Sequence, residues 1–309
     1  MVSAHIINYG CTANYDNGTI IAGLLTEKKY LITKDIEPAD IVIINSCAVK
    51  NVTVSKIFSK LEYISKKYPE KIIIITGCMP LAERGKLSKL NLSLVNTDNI
   101  TKIPDIIEDI VNKKTINLLE KRKESKLNLT KLQDSKIATV QIASGCTSFC
   151  TYCSTKLAKG NIYSFSKEEI IKEIKKYISL GYKRINITST DNGCYGLDIG
   201  TNLSELLNEI IKLDSDFKLR IGMANPEHVK KYYKDLINIF KDKKIIKFLH
   251  LPVQSGSDKV LKDMKRDYTI KEFKKIVKEF RKEIPNICIS TDIIVGYPTE
   301  TEEDFKKTI

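Results

Sequence analysis

Short runs of β-branched residues, each followed by a stretch with helical amphipathic pattern, recur through most of this 309-residue chain. VSAHIINY (2–9) leads to GTIIAGLLTEKKY (18–30), and IVIIN (41–45) to VTVSKIFSKLEYISKKY (52–68). KIIIIT (71–76) precedes PLAERGKLSKL (80–90), and LSLVNT (92–97) precedes ITKIPDIIEDIVNKK (100–114). Strands buried on both faces read as continuous apolar runs, and intervening amphipathic helices cover both faces. Residues 1–112 therefore predict a small, doubly wound α/β domain on a parallel sheet. The alternation resumes with IATVQIA (137–143), RINITS (184–189), KLRIGMA (218–224), IKFLHLPV (246–253) and ICISTDIIVG (287–296). Five strand–helix units over 137–309 predict a partial TIM-like barrel rather than a closed one. Between the two lies KKTINLLEKRKESKLNLTKLQDSK (113–136), polar, basic and weakly periodic. It reads as a solvated linker, with a basic strip touching RNA as the alternative.

The cysteines sit at the ends of these strands. Cys11 follows HIINYG, Cys47 follows IVIINS and Cys78 follows IIIITG. Open α/β sheets place ligands at the carboxyl edge of their strands, so three successive loops can converge on one site. A second trio, Cys146, Cys150 and Cys153, crowds the stretch ASGCTSFCTYCS after another strand. Structural zinc takes four protein ligands, and no fourth cysteine or histidine lies near this trio in the sequence. A cubane iron–sulfur cluster held by three thiolates keeps one iron open, whereas electron-transfer clusters use four cysteines. An open iron argues for substrate chemistry. Cys288, in the apolar run ICIS, reads as core.

Cys146-x3-Cys150-x2-Cys153, with Tyr152 before the last cysteine, resembles the signature of the radical S-adenosylmethionine (SAM) superfamily. There the open iron binds the amino and carboxylate groups of SAM, and an electron cleaves SAM to a 5′-deoxyadenosyl radical. With the first trio the chain resembles the methylthiotransferases, along nearly its whole length. NYGCTANYDNG, INSCAVKNVT and TGCMPLAERG are similar to that family's N-terminal domain, and the resemblance implies an auxiliary 4Fe–4S cluster on Cys11, Cys47 and Cys78. SGCTSFCTYCSTKLAKG, LHLPVQSGSDKVLKDMKRDYT and STDIIVGYPTETEEDF are similar to its radical SAM domain, implying a second 4Fe–4S cluster on Cys146, Cys150 and Cys153. CSTKLAKGNIYSFS and TSTDNGCYGLDIGT are similar to the archaeal and eukaryotic-type enzymes acting on N6-threonylcarbamoyladenosine in tRNA. The family usually carries Asp where this chain has Asn17, and it continues past Ile309 with a sixth barrel strand and an RNA-binding β-barrel, so a C-terminally truncated member is the expectation.

The reaction so implied is methylthiolation at C2 of the modified adenosine at tRNA position 37. It needs two clusters, SAM, a sulfur source and an electron donor such as ferredoxin or flavodoxin. In this reading Tyr152 packs on the SAM adenine, Ser189 and Asp191 bind the amino end of SAM, Gln254 contacts SAM from beyond another strand, and Gly296 lets the adenine approach the backbone. For the last four, plain barrel-mouth structure is the competing role; for Tyr152 it is that of a buried aromatic beside the cluster. Cys194, in NGCYG, faces the site, and His250 is a hydrogen-bonded structural histidine. Lys and Arg number 51 against 38 Asp and Glu, a net charge of +13 that favours a polyanionic partner such as the tRNA anticodon loop. The N-terminus lacks a signal-peptide pattern and no apolar run approaches the ~18 residues of a membrane span, so a cytoplasmic location without membrane contact is expected. Alternatives are methylthiotransferases acting on isopentenyladenosine in tRNA or on a ribosomal protein, and an inactive iron–sulfur or RNA-binding module.

Overall fold

The computed structural model describes residues 2–112, 114–133 and 135–309. Lys113 and Asp134, both within the stretch read as a linker, lie outside the described residues, as does Met1. The chain forms two compact units, Met1–Asp134 with Ser154–Gly160, and Ser135–Cys153 with Asn161–Ile309.

The first unit runs β1 (Ser3–Asn8), α1 (Thr12–Glu27), β2 (Leu31–Ile32), β3 (Ile41–Ser46), α2 (Asn51–Lys67), β4 (Ile72–Gly77), α3 (Met79–Ala82), α4 (Arg84–Leu87), β5 (Ser93–Val95), α5 (Ile103–Val111) and β6 (Asn117–Leu118). All pairings are parallel, in the order β2-β1-β3-β4-β5-β6. Successive side chains on a strand point to opposite faces, and helices cover both. Val42, Ile44, Ile73 and Ile75 pack with Val54, Ile57, Leu61 and Ile64 of α2. Ile41, Ile43 and Ile74 pack with Ile20, Ile21 and Leu25 of α1 and with Ile103, Ile107 and Ile110 of α5. Each fully buried side chain of this kind contributes about 1.5–3 kcal/mol. This is the doubly wound architecture that the apolar runs predict.

Three local features differ from the sequence reading. Helix α1 starts at Thr12 rather than at Gly18. Its first turns are polar yet buried, because their side chains bond inward. Asn14 donates to the carbonyls of Asn45 (3.3 Å) and Ser46 (3.1 Å), and Asp16 pairs with Lys131 at 3.0 Å. The stretch PLAERGKLSKL forms two short helices, α3 and α4, broken at Glu83. Residues 114–133 are largely exposed but tied to the first unit at several points. β6 extends the sheet and Lys126 and Leu127 are buried. A Cβ on Gly23 of α1 would stand 2.3 Å from the Thr130 carbonyl oxygen, so the segment lies directly on the helix.

The second unit contains β7 (Ile137–Gln141), β8 (Ala143–Ser144), β9 (Tyr163–Ser164), α7 (Lys167–Ser179), β10 (Arg184–Thr188), α8 (Leu203–Ile211), β11 (Lys218–Ile221), α9 (Pro226–Val229), α10 (Tyr233–Phe240), β12 (Phe248–His250), α11 (Asp258–Asp263), α12 (Ile270–Glu283), β13 (Cys288–Ser290) and α13 (Glu302–Thr308), while α6 (Ser154–Lys159) falls in the first. β7, β10 and β11 form one parallel sheet and β12 and β13 a parallel pair. A parallel bridge from Leu219 to Ile245 joins them, giving the order β7-β10-β11-β12-β13 of a partial barrel. Caps fix the helices between: Ser166 accepts from the Glu169 N–H at α7, Asn202 from that of Glu205 at α8, and Thr269 with Glu272 makes a capping box at α12. Cys288, expected in the core, is exposed, since among the described residues β13 pairs as a strand with β12 alone and forms the edge of the sheet. Among the described residues no helix is long and apolar enough to cross a membrane.

Candidate active site

Adjacent strands β1, β3 and β4 carry Cys11, Cys47 and Cys78 just past their carboxyl ends. Cys11 is exposed and the other two are buried. Gly10 lets the loops close on one another. Its φ is +108°, and a Cβ there would lie 2.7 Å from Cβ and 2.9 Å from Sγ of Cys47. The Cys78 N–H donates to the Ser46 carbonyl at 3.0 Å, fixing the third loop to the second. Burial pushes the Cys78 thiol up to about 11 against the pull of the Lys159 ammonium, and the neighbouring Cys11 and Cys47 add to the rise. Burial also raises Cys47. Cys47 and Cys78, raised in this way, ionise together only when a positive charge compensates them, which is what a metal centre supplies. Sequence reasoning missed the basic residues beside them. Lys159 is buried, as is Lys126, which donates to the Thr97 carbonyl (2.6 Å) and to Asn17 Oδ1 (3.3 Å). Burial lowers Lys126 to about 8. Asn17 thus meets the lysine with a neutral amide and also donates to Thr97 Oγ1 at 3.1 Å.

In the second unit Cys146, Cys150 and Cys153 lie on the loop after β8, which tightens where the Cys153 N–H donates to the Cys150 carbonyl at 3.1 Å. Arg266 donates from Nη1 to Cys150 Sγ (3.3 Å) and from Nη2 to the Pro252 carbonyl (3.2 Å), and its guanidinium lies over the Tyr268 ring. Tyr152 is half-buried beside Arg266, Cys150 and Tyr268, and burial raises its phenol. Cys146 turns elsewhere. Its Sγ lies 3.7 Å from Asp191 Oδ2 and accepts the Ser148 N–H at 3.4 Å. A hydrogen bond from the Cys194 thiol, working against burial, pulls Cys146 far down and raises Cys194. His228 Nε2 lies 3.5 Å from Asp191 Oδ2 and 3.0 Å from Thr147 Oγ1. No fourth cysteine or histidine lies near the trio in sequence, yet the fold brings both Cys194 and His228 to Cys146.

The remaining expected residues sit past the carboxyl ends of the parallel strands. Ser189 and Thr190 follow β10, and their hydroxyl oxygens are enclosed without a hydrogen-bond partner. A polar ligand is what such orphaned groups fit. Asp191 Oδ1 accepts the N–H groups of Gly193 (2.8 Å) and Asn225 (2.9 Å), and burial pushes its carboxyl up to about 7. Gln254 has φ +70° and is held by backbone bonds to Asp292 and Ile294, each 2.9 Å. Gly296 is exposed after β13, with φ +73° and open space where a Cβ would point. His250 Nε2 lies 2.7 Å from Asp292 Oδ2, a paired and half-buried histidine.

Residues 140–309 match the model of the radical SAM superfamily, and residues 3–96 match that of an uncharacterized protein family, UPF0004. In fold the chain is similar to the radical SAM methyltransferase TsrM of Kitasatospora setae (TM-score 0.68, 11% identity, 98% of this chain and 69% of that one). It is also similar to the cobalamin-dependent SAM radical enzyme OxsB (TM-score 0.69, 13% identity, 100% and 51%). A partial parallel barrel with a CxxxCxxC loop after its first strand thus defines a radical SAM enzyme, a class that works with SAM and a 4Fe–4S cluster. The chain is 41% identical over 313 residues to a protein of Pyrococcus horikoshii named probable threonylcarbamoyladenosine tRNA methylthiotransferase, covering all of this chain and 73% of that one. The human threonylcarbamoyladenosine tRNA methylthiotransferase is 34% identical, over 98% of this chain and 54% of its own length. The chain belongs to this methylthiotransferase family and is a transferase.

Proposed function

We propose that the chain transfers a methylthio group to C2 of N6-threonylcarbamoyladenosine at position 37 of tRNA, with residues 1–112 as the auxiliary-cluster domain and 137–309 as the radical SAM domain. The observation that carries this reading is the pair of three-cysteine sets, one spread over the carboxyl ends of the parallel strands β1, β3 and β4, the other on the single loop that follows β8. One set serves radical formation and the other sulfur delivery. The thiol donor sets fit iron–sulfur clusters: three converging loops in the first unit, one tight loop in the second. When bound, the cluster of Cys146, Cys150 and Cys153 with SAM supplies the carbon radical that an unactivated aromatic C–H bond demands. The auxiliary cluster of Cys11, Cys47 and Cys78 supplies the sulfur.

The chain's own residues prepare these sites. Arg266 sets a cation against Cys150 and ties that loop to the Pro252 carbonyl. Lys159 sets one near Cys47 and Cys78. Ser189 and Asp191 bind the amino end of SAM, helped by the enclosed, unpartnered hydroxyls of Ser189 and Thr190, Tyr152 covers its adenine, and Gln254 and Gly296 contact SAM at the mouth. The partners are the tRNA anticodon loop, a low-potential electron donor such as ferredoxin or flavodoxin, and a sulfur source, in the cytoplasm. Mass spectrometry of tRNA nucleosides from cells lacking the gene tests the substrate. Loss of the 2-methylthio form of threonylcarbamoyladenosine supports the reading, and unchanged tRNA nucleosides contradict it.

A further inference from the structure

Four donor atoms of different residues meet beside the radical SAM loop. Cys146, Asp191, Cys194 and His228 each offer one ligand atom, and these atoms all lie within 4.8 Å of one another. We propose that they form a binding site for a single divalent cation of the zinc type, alternative to the cluster that Cys146 shares with Cys150 and Cys153. The site stands on its own geometry, while its competition with the cluster rests on the function proposed above.

Distances and donor chemistry carry the proposal. Zinc binds thiolate, imidazole and carboxylate ligands at about 2.0–2.3 Å, which makes the edges of its tetrahedron roughly 3.3–3.8 Å. Asp191 Oδ2 is 3.7 Å from Cys146 Sγ and 3.5 Å from His228 Nε2, two edges of that size. Two sulfurs and an imidazole select zinc, cobalt or copper over magnesium or calcium, which prefer oxygen cages. Asp191, Cys194 and His228 are each at most 3% exposed. The carboxylate is preset, since the N–H groups of Gly193 and Asn225 hold Oδ1 and leave Oδ2 beside Cys146 and His228. Binding displaces the thiol protons of Cys146 and Cys194 to solvent and involves no oxidation or reduction. Because Cys146 serves both arrangements, a chain loaded with zinc cannot complete its radical SAM cluster.

The test uses the full chain, metal-free and anaerobic. Co2+ is titrated in and read through thiolate charge-transfer and tetrahedral ligand-field absorption, which separates the ion from any iron. Cys194→Ala, the near-isosteric Cys194→Ser and His228→Gln should each lower tight Co2+ binding by one equivalent. Cys150→Ala should retain that equivalent although it loses the cluster, so the two readings fail separately. Zn2+ added before reconstitution should lower bound iron by about four atoms, one cubane, and Cys194→Ala should relieve that block. Retention of that equivalent in Cys194→Ser and His228→Gln, or its loss in Cys150→Ala, overturns the site. Full iron loading in the zinc-treated protein overturns the competition.

Discussion

Lys126 shows what a single buried charge contributes. Its ammonium has carbonyl and amide acceptors from Thr97 and Asn17, yet burial holds it near 8, below its ordinary 10.5. Between about pH 8 and 10.5 the unfolded chain keeps a proton that the folded chain has released, so stability rises with pH across that window. The gain is at most about 1.4 kcal/mol per pH unit. Urea unfolding of the metal-free protein at pH 8, 9 and 10, compared with Lys126→Met, should show the wild type gaining on the variant; parallel curves would place the lysine in water. Single residues were unevenly legible in the sequence. The six cysteines of the two trios stood out because chain spacing and strand ends mark them. Cys194 was marked by its place in NGCYG on a barrel-top loop, whereas His228, Arg266 and Lys159 carried no such mark, because their partners are distant in sequence and only the fold brings them to a sulfur.

At the scale of elements, β-branched runs predicted the strands well, because strands covered on both faces leave no place for polar residues. Helix α2 shows the energetics. Ile57 is fully buried against Ile44 and Ile75 in the same cluster, so Ile57→Ala should destabilise the first unit by about 2–5 kcal/mol. Thermal unfolding that moves by less than a degree would mean that α2 does not seal this face. The start of α1 and the segment 114–133 were not legible for a common reason. The start of α1 is buried, and the segment is anchored, through hydrogen bonds and ion pairs such as Asp16 with Lys131 rather than through an apolar stripe, and periodicity records only the stripe. Cys288 misled in the opposite sense, since an apolar run on an edge strand looks like core.

For the whole molecule, the net charge of +13 and the proposed tRNA substrate predict binding that weakens steeply with salt. If 6–10 phosphates are contacted, affinity should fall by roughly 10³–10⁵ between about 50 and 200 mM salt. A flat salt profile in a filter-binding or anisotropy titration would set the charge excess apart from tRNA. The central claim is that the two cysteine sets do different work, and a pair of variants tests it most directly. Cys11→Ala leaves Cys146, Cys150 and Cys153 whole, whereas Cys150→Ala leaves the first set whole. With SAM, dithionite and tRNA carrying threonylcarbamoyladenosine, both 5′-deoxyadenosine and methylthiolated nucleoside are measured by liquid chromatography and mass spectrometry. Cys11→Ala should still release 5′-deoxyadenosine and make no methylthio product, and Cys150→Ala should make neither. Normal methylthiolation by Cys11→Ala would contradict the separate role of the first set and the methylthiotransferase mechanism built on it.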